Sequence, residues 1–567
     1  MSMKNLAPMF LAILLLGGAT HGAAQSQIHA QPEKDFIAWT YHDVRDDVYL
    51  DLDPDRDAVN TQNLIAQLEW LLGNGFNPVS VEDILIARDG GKGLPKNAVL
   101  LTVDDGLKSV YDRIFPLLKL YRFPALVAVV TSWTDADDEF ELDYGGRMRG
   151  KNDWASWDEL REMSESGLVE IACHSNELHR ALISNPQGNR QPAATTREYE
   201  EGFGYESEAE YEQRIREDLG NCSQRIAEEL GQPPRVMVWP YGDYNATTKR
   251  IAGELGMVLP VTLTYGANVL QSESVDRANL IENPEIGSFV WGVRHPDPVP
   301  PILRLMDLDL ADLENDPNEE KLGAVLERIY AMTPTTVVVK AYREDASGNA
   351  SSVYFPNRHL QVREDLLNRV AWTIGAKAQA RAWVRMPITS YDLPGTADPE
   401  QKIREIIDDL ARLVPLAGII FDDDTPQSSG ELAKIFKGHR PHAHTGRVLY
   451  PAPNLEENAR QALEDHQWVV IRTAPLLRGK SPTKPLEGLL ATLDPTDPGF
   501  RRTIFELSTL NGGQRVPVKT LTKQIRFLQR RRAASIAYIG DDFLADQPPL
   551  TELRPAFSAQ SFPYPRQ

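Results

Sequence analysis

Cysteine is scarce in this sequence. A chain of 567 residues contains only Cys173 and Cys222. Two cysteines in so long a chain exclude the disulfide framework that holds many small secreted domains together. The two could pair in an oxidising compartment, but we interpret them as buried free thiols. The chain is long enough to be stabilised by sizeable hydrophobic cores instead.

Long apolar runs are also missing. No stretch after the N-terminus approaches the ~20 uninterrupted apolar residues of a membrane-spanning helix. A short apolar run at residues 9–16 follows Lys4 and precedes small residues that include Gly22 and Ala24. This order predicts a secretory signal peptide over residues 1–24, and hence an exported, soluble protein without a transmembrane segment. No cysteine stands at the expected cleavage site, so lipid anchoring is not predicted.

Positively charged residues are fewer than negatively charged ones. Lys and Arg number 60 against 81 Asp and Glu, which gives a formal net charge of −21. Such a balance argues against a nucleic acid partner and against binding to anionic lipid surfaces. A neutral or cationic partner fits the charge better.

Apolar strand-like runs alternate with amphipathic helical stretches along most of the chain. This alternation predicts an α/β fold built on parallel sheets or barrels. The stretch "HPDPVPP" at 295–301 has four prolines in seven residues, which favours an extended linker. We therefore predict a first domain over residues 25–298 and a second β/α domain over residues 303–567.

Two adjacent carboxylates follow an apolar strand in "LLTVDDG", where like charges crowd each other at Asp104 and Asp105. A cation would relieve the repulsion and keep both ionised. The stretch "CHSNELHR" supplies nitrogen ligands, His174 and His179, after another predicted strand. Two histidines and one carboxylate form a facial metal set with open positions, and the second carboxylate stays free as a base.

Three short motifs resemble those of the polysaccharide deacetylases of carbohydrate esterase family 4. "TVDDG" is similar to the first motif, "HSNELH" to the second with one extra residue between its histidines, and "VWPYG" at 238–242 to the third. The resemblance implies that the first domain is a distorted (β/α)7 barrel. Val238 stands where the family has an arginine, so the partner that orients the catalytic aspartate is expected to be missing.

Two motifs of the second domain make the family resemblance more specific. "YFPNRHL" at 354–360 and "GIIFDDD" at 418–424 resemble the C-terminal domain of periplasmic poly-β-1,6-N-acetyl-D-glucosamine N-deacetylases from Gram-negative biofilm systems. That domain is a (β/α)8 barrel similar to glycoside hydrolases, which binds and in some members cleaves the deacetylated polymer. The resemblance implies a poly-N-acetylglucosamine substrate, a periplasmic location and a possible export partner in the outer membrane.

The resemblance also implies roles for individual residues of the first domain. Asp105, His174 and His179 would hold a divalent metal, with Zn²⁺ expected first and Co²⁺, Ni²⁺ or Fe²⁺ suited to the same set. Asp104 would be the general base. We further predict His42 as the general acid, with a structural hydrogen bond next to Asp43 as the alternative. The backbone N–H of Tyr241 is the predicted oxyanion donor, and Trp239 is a ring that either stacks on a sugar or belongs to the core.

In the second domain we expect acids and aromatic rings to contact the polymer. The predicted contacts are Asp423, Asp424, Tyr342, Tyr354 and Trp383. Binding is preferred to cleavage, because Asp422 replaces the histidine that precedes the acid pair in relatives. Two alternatives remain open. One is a glycoside hydrolase with an accessory first barrel, and the other is a non-catalytic polysaccharide-binding export protein.

Overall fold

The computed structural model describes residues 35–49, 53–296, 302–395, 397–425, 427–474 and 481–560. The predicted signal peptide, residues 1–24, and most of the predicted linker lie outside these residues. Within them, no helix combines the length and the apolar character needed to cross a bilayer.

The first half contains short and long strands with intervening helices. The strands are β1 (Phe36–Tyr41), β2 (Asp43–Arg45), β3 (Ala58–Asn60), β4 (Asn77–Pro78), β5 (Ala98–Val103), β6 (Ala125–Val129), β7 (Glu141–Tyr144), β8 (Arg147–Gly150), β9 (Val169–Cys173), β10 (Ala181–Ile183), β11 (Arg190–Pro192), β12 (Tyr199–Glu200), β13 (Gly204–Tyr205), β14 (Val236–Val238), β15 (Leu259–Val261), β16 (Ala267–Asn268) and β17 (Ala278–Asn279). The helices are α1 (Thr61–Gly73), α2 (Val81–Arg88), α3 (Phe115–Tyr121), α4 (Thr131–Thr134), α5 (Trp157–Glu165), α6 (Glu208–Leu230), α7 (Ala246–Glu254) and α8 (Ile286–Arg294).

Six parallel strands of this half lie side by side in the order β15, β14, β9, β6, β5, β1. The segment 275–279 joins the two outer strands. Val275 bridges Val261 of β15, and Ala278 in β17 pairs in parallel with Trp39 of β1. With this segment as a seventh member, the sheet curls into a distorted barrel, in agreement with the predicted (β/α)7 fold.

The strands of the first barrel are buried on both faces. In β5 every residue is buried. Leu100 belongs to one apolar cluster, whereas Val99 and Leu101 belong to another that includes residues of the surrounding helices. Because side chains alternate along a strand, this two-sided burial explains why "AVLLTV" is apolar throughout, as is usual for parallel strands covered by helices.

The second half has its own strands and helices. The strands are β18 (Arg304–Asp309), β19 (Thr336–Lys340), β20 (Tyr342–Glu344), β21 (Ala350–Val353), β22 (Gln361–Val362), β23 (Arg381–Met386), β24 (Gly418–Phe421), β25 (His444–Leu449), β26 (Trp468–Arg472), β27 (Thr503–Ser508), β28 (Leu510–Asn511), β29 (Gln514–Arg515) and β30 (Ser535–Ile539). The helices are α9 (Glu320–Met332), α10 (Leu367–Ala378), α11 (Pro399–Leu413), α12 (Gly430–His439), α13 (Leu455–Asp465), α14 (Lys484–Leu490), α15 (Val518–Arg530) and α16 (Leu550–Phe557).

Eight parallel strands of the second half form a closed barrel in the order β18, β19, β23, β24, β25, β26, β27, β30. This is the predicted (β/α)8 architecture. Trp383 fills the barrel interior together with Val338, Ile420 and Val470. Gly418 makes room for that ring, because a Cβ at this position would lie 2.7 Å from Cδ2 of Trp383.

The two cysteines form a disulfide, so the interpretation as free thiols is wrong. Cys173 ends β9 and Cys222 lies in α6, with their Cα atoms 6.1 Å apart. That separation is ordinary for a disulfide. Sequence spacing could not predict the pairing, because it depends on how α6 packs against the barrel.

Buried polar contacts join the two halves. Oδ1 of Asn368 in α10 accepts hydrogen bonds from Asn185 at 2.9 Å and from Gln191 at 3.0 Å. At a more exposed position, Nδ1 of His442 lies 2.8 Å from Oγ1 of Thr264. Buried polar groups gain stability only when they are paired, so these contacts favour a defined arrangement of the two barrels.

Candidate active site at the mouth of the first barrel

The predicted site residues of the first half lie at the carboxyl ends of parallel strands. His42 follows β1, Asp104 and Asp105 follow β5, and His174 follows β9. Tyr241 lies just beyond the end of β14. The parallel arrangement brings all these ends to the same mouth, which is where sites of β/α barrels gather.

Asp105, His174 and His179 converge on a common point. Oδ1 of Asp105 lies 3.1 Å from Nε2 of His174 and 3.2 Å from Nε2 of His179. One ligand atom from each residue fits within 4.8 Å of the others. Oδ1 of Asp105 is buried and accepts no hydrogen bond from the described residues. A buried carboxylate oxygen of this kind, between two imidazole nitrogens, fits a divalent metal ion.

Neighbouring groups orient these three side chains. Nδ1 of His174 donates to the carbonyl oxygen of Val238 at 2.7 Å, which fixes the ring so that Nε2 is the nitrogen that faces Asp105. The hydroxyl of Tyr144, from the hairpin of β7 and β8, donates to Oδ2 of Asp105. Burial opposes the charge of Asp105, but His179 and His174 hold its pKa well below the usual value.

Asp104 is paired with a buried arginine that the sequence did not reveal. Arg277 is fully buried and donates from Nη1 to Oδ1 of Asp104 at 2.6 Å and from Nη2 to Oδ2 at 2.5 Å. It also donates to the hydroxyls of Thr40 and Thr102, at 2.9 and 2.8 Å. Burial raises the pKa of Asp104, but Arg277 and His174 outweigh burial and keep the pKa below its ordinary value.

This arginine corrects the expectation that the orienting partner of Asp104 is missing. Val238 does lie in β14 where an arginine was expected, yet Arg277 supplies a guanidinium from the segment that closes the barrel. Alternation along β5 places Thr102 and Asp104 on the face toward Arg277. A lone arginine in "SVDRAN" has no motif around it, so no sequence signal identified it.

His42 lies beside the paired acids. Its Nε2 is 3.8 Å from Oδ2 of Asp104. Its Nδ1 is buried and makes no hydrogen bond to the described residues. The imidazole is therefore placed at the mouth without being fixed by a second polar partner.

Left-handed backbone conformations cluster at this mouth. Asp105, Ser175 and Tyr241 have φ values of 72°, 74° and 58°. Non-glycine residues rarely adopt such values, and clusters of them are typical of functional sites. The ring of Tyr241 is 47% exposed and its centroid lies 4.5 Å from that of His179. Tyr241 thus borders the open side of the triad.

Trp239 does not lie in the site. Its ring is fully buried and stacks on Tyr244, with centroids 5.9 Å apart. A ring in this position cannot stack on a sugar, so the prediction that Trp239 contacts substrate is wrong. The residue instead fixes the start of the loop that carries Tyr241.

Two arginines of the second barrel pair with its acidic side chains. Oδ2 of Asp422 accepts from Arg385 at 2.6 Å and from Arg472 at 2.5 Å, and the same two arginines bind Glu506. Burial opposes ionisation of Asp422, but the arginines lower its pKa. Asp307 lies 3.4 Å from Arg385, and burial raises its pKa to about 6.

The remaining predicted contacts of the second domain divide into two groups. Asp424 is exposed, and Oδ2 of Asp423 accepts hydrogen bonds from the backbone and side chains of Thr389 and Ser390. Tyr342 is buried, and burial together with the nearby Asp422 charge raises the pKa of its hydroxyl.

Tyr354 and Trp383 are fully buried in the core. The hydroxyl of Tyr354 donates to Glu314 at 2.5 Å. The predictions that these two rings contact the polymer are therefore wrong. They were made because no sequence pattern separates a ring in a groove from one that fills a barrel.

Comparison with known proteins agrees with this geometry. The polysaccharide deacetylase family model matches residues 91–260, and a model called hypothetical glycosyl hydrolase family 13 matches residues 306–402. The poly-beta-1,6-N-acetyl-D-glucosamine N-deacetylase of Escherichia coli is 28% identical over 94% of this chain and 93% of its own length. The deacetylase domain from Bordetella bronchiseptica is 40% identical, covering 44% of this chain and 97% of that domain, with a TM-score of 0.40.

This chain belongs to the polysaccharide deacetylases. A de-N-acetylase from Aggregatibacter actinomycetemcomitans is also similar, at 34% identity over 46% of this chain and 99% of that one, with a TM-score of 0.42. The region matched by the family model contains Asp104, Asp105, His174 and His179 of the deacetylase. His42 and Arg277 lie outside it, directly after β1 and directly before β17, the two strands that pair at the barrel seam.

The deacetylase site therefore combines three chemical functions within a few ångströms. The triad can hold a divalent ion, the Asp104 carboxylate lies beside it, and Nε2 of His42 lies 3.8 Å from that carboxylate. This arrangement is suited to a metal-assisted amide hydrolysis.

Proposed function

We propose that this deacetylase removes acetyl groups from poly-β-1,6-N-acetyl-D-glucosamine in the periplasm, in a biofilm export system. The observation that carries the proposal is the juxtaposition of the Asp105, His174 and His179 triad with the Asp104–Arg277 pair. The substrate is inferred from the E. coli relative, whose name specifies this polymer and whose length is nearly all matched. The location is inferred from the predicted signal peptide.

We propose Zn²⁺ as the ion, with Co²⁺, Ni²⁺ or Fe²⁺ able to occupy the same ligands. Such an ion supplies Lewis-acid activation of a water molecule and of the acetamide carbonyl. Asp104 takes a proton from the attacking water, and Arg277 keeps Asp104 ionised and oriented for this step. The backbone N–H of Tyr241 donates toward the developing oxyanion.

His42 completes the hydrolysis by donating a proton to the departing sugar amine. The C–N bond then breaks, which leaves acetate on one side and a glucosamine amine on the other. The proton taken by Asp104 then returns to His42 for the next turnover. Because Nε2 of His42 lies 3.8 Å from Oδ2 of Asp104, beyond direct hydrogen-bonding distance, a water molecule would carry it. The residue thus acts as the general acid, while Asp104 acts as the base.

For the second barrel we propose binding of the partly deacetylated polymer. Its cationic amines suit a mouth that presents Asp423 and the exposed Asp424. Cleavage is disfavoured because Asp422 and Glu506 are both held by Arg385 and Arg472, and a glycoside hydrolase needs a freely available acid pair. A non-catalytic role for the whole chain is disfavoured because a pure binder has no need of the ion-binding triad.

The test is acetate and free-amine release from β-1,6-linked N-acetylglucosamine oligomers. Activity should vanish with a chelator, return with one added metal, and fall by about 10²–10⁴-fold in Asp104→Asn. Asp89→Asn, at the exposed end of α2, is the matched control and should retain full activity. Absence of acetate with every metal would refute the proposal. Shortened chains in the same digest would show that the second barrel cleaves rather than binds.

A further inference from the structure

The loop between the two metal-site histidines has no regular secondary structure. Residues 174–180 form neither helix nor strand, and Ser175 adopts a left-handed conformation. A helix would fix two ligands through its own hydrogen bonds, as at positions i and i+4. With four residues between His174 and His179 and no helix, contacts from outside the loop must fix their separation.

Asp218 of α6 makes two such contacts. Its Oδ1 accepts from the backbone N–H of Asn176 at 2.9 Å, and its Oδ2 accepts from that of Glu177 at 2.7 Å. These are the second and third residues after His174. Hydrogen bonds from backbone N–H groups to a carboxylate are strong and directional, so one side chain holds the middle of the loop.

Cys222 holds the beginning of the same loop from the same helix. It follows Asp218 by four residues, which places both on one face of α6. Its disulfide partner, Cys173, directly precedes His174. The backbone N–H of Ser175 also contacts Sγ of Cys173 at 3.3 Å. Helix α6 is therefore attached to the loop at residue 173 and again at residues 176 and 177.

A second element supports the opposite side of the loop. Oγ1 of Thr131 donates to Oδ1 of Asn176 at 2.8 Å, and the backbone N–H of Thr131 donates to the carbonyl of Ser175 at 3.2 Å. Asp218, by contrast, is nearly buried and gives both of its carboxylate oxygens to backbone N–H groups of the loop. It is therefore the contact whose loss leaves unpaired N–H groups beside the site.

We propose that Asp218 is a positioning residue for the metal ligands and that, with the Cys173–Cys222 disulfide, it sets the place of His179 relative to His174. The inference rests on the proposed metal-dependent function. Neither Asp218 nor the disulfide touches substrate. Their role is to keep the two imidazole nitrogens at the spacing that a single ion requires, which raises the affinity for the ion.

The test measures metal affinity directly, by calorimetric titration of the metal-free full-length chain with Zn²⁺ and by the visible absorption of bound Co²⁺. Asp218→Asn keeps the shape but places an amide N–H₂ against one backbone N–H. We expect its Kd for either metal to rise about 10–100-fold, the range found when groups that orient metal ligands are removed. The double variant Cys173→Ala/Cys222→Ala should also raise the Kd, and the Co²⁺ spectrum should change in both.

Two controls separate positioning from general loss of stability. Glu217→Gln changes the charge of the exposed neighbour on the same helix, whose contact is with Gln213, and should leave the Kd unchanged. Ile226→Ala removes a buried side chain from α6 without touching the loop. It should lower the thermal unfolding temperature and leave the Kd unchanged.

The outcomes are distinct. A wild-type Kd in both Asp218→Asn and Asp218→Ala, with the fold confirmed by circular dichroism, would overturn the role of Asp218. A wild-type Kd in the double cysteine variant alone would overturn the role of the disulfide. If the wild-type chain binds none of the metals, the proposed function itself fails, and the inference fails with it.

Discussion

Replacement of Arg277 by methionine is the sharpest test of how Asp104 is kept ready for catalysis. The change removes a fully buried guanidinium and both of its hydrogen bonds to the carboxylate. Asp104 would then lie buried beside Asp105 without its cation. Methionine keeps much of the volume, so the electrostatic loss dominates.

The size of the effect follows from burial. Removing one partner of a buried ion pair costs about 3–5 kcal/mol of the free energy of unfolding, because the remaining charge is uncompensated. The same change should lower kcat/KM by about 10²–10⁴-fold, the contribution of a general base. A change confined to an exposed ion pair would cost about 0–1 kcal/mol.

The direction of the pH dependence can be worked out from the pKa shift. In the wild-type chain, Arg277 holds the pKa of Asp104 below 3.8 against the effect of burial. The pair therefore stabilises the fold above the unfolded pKa, and this contribution is lost as the pH falls through the folded pKa. In Arg277→Met the main opposition to burial is lost and the folded pKa of Asp104 rises. Once it exceeds the unfolded pKa, the variant loses stability as the pH increases.

Urea unfolding and the pH profile of kcat/KM measure these two effects. The acidic limb of the profile should move to higher pH in Arg277→Met. Arg235→Met is the control, since Arg235 binds Glu170 and Glu82 at a partly exposed position. The reasoning is refuted if Arg277→Met matches this control in unfolding free energy, or if the acidic limb does not move.

Two further predictions concern His42, the proposed general acid, and Trp239, the buried ring of the third motif. His42→Asn should lower kcat by about 10²–10⁴-fold with an unchanged Kd for Zn²⁺, and a weakened Kd would instead make His42 a metal ligand. Trp239→Ala should lower the free energy of unfolding by about 3–5 kcal/mol. A higher KM for the oligomer with normal stability would show that Trp239 binds sugar after all.

The architecture could be predicted from the sequence because the residue patterns that indicate strands are local. Apolar runs such as "AVLLTV" indicate a strand that is buried on both faces. The polar residues just after such runs indicate the mouth of the barrel. Asp105, His174 and His179 could be grouped because each follows such a run. Local patterns were therefore enough to predict that these three side chains meet, because the carboxyl ends of parallel strands share one mouth.

Other parts of the site depend on contacts that no local pattern encodes. Arg277 reaches Asp104 across 173 residues of sequence, through a segment whose only regular part is a two-residue strand. Tyr144 comes from a hairpin that lies over Asp105. The disulfide and the burial of Tyr354 and Trp383 likewise depend on packing between distant elements.

The closing segment of the first barrel also sets the order in which the site can be completed during synthesis. The side chains of the triad are all present once residue 179 has been made, but the guanidinium for Asp104 is not available until residue 277. His42, by contrast, is among the first parts of the domain to be made. A nascent chain that ends before residue 277 therefore carries Asp104 without the guanidinium that pairs with it, and the pair forms only when the segment before β17 reaches the first strands.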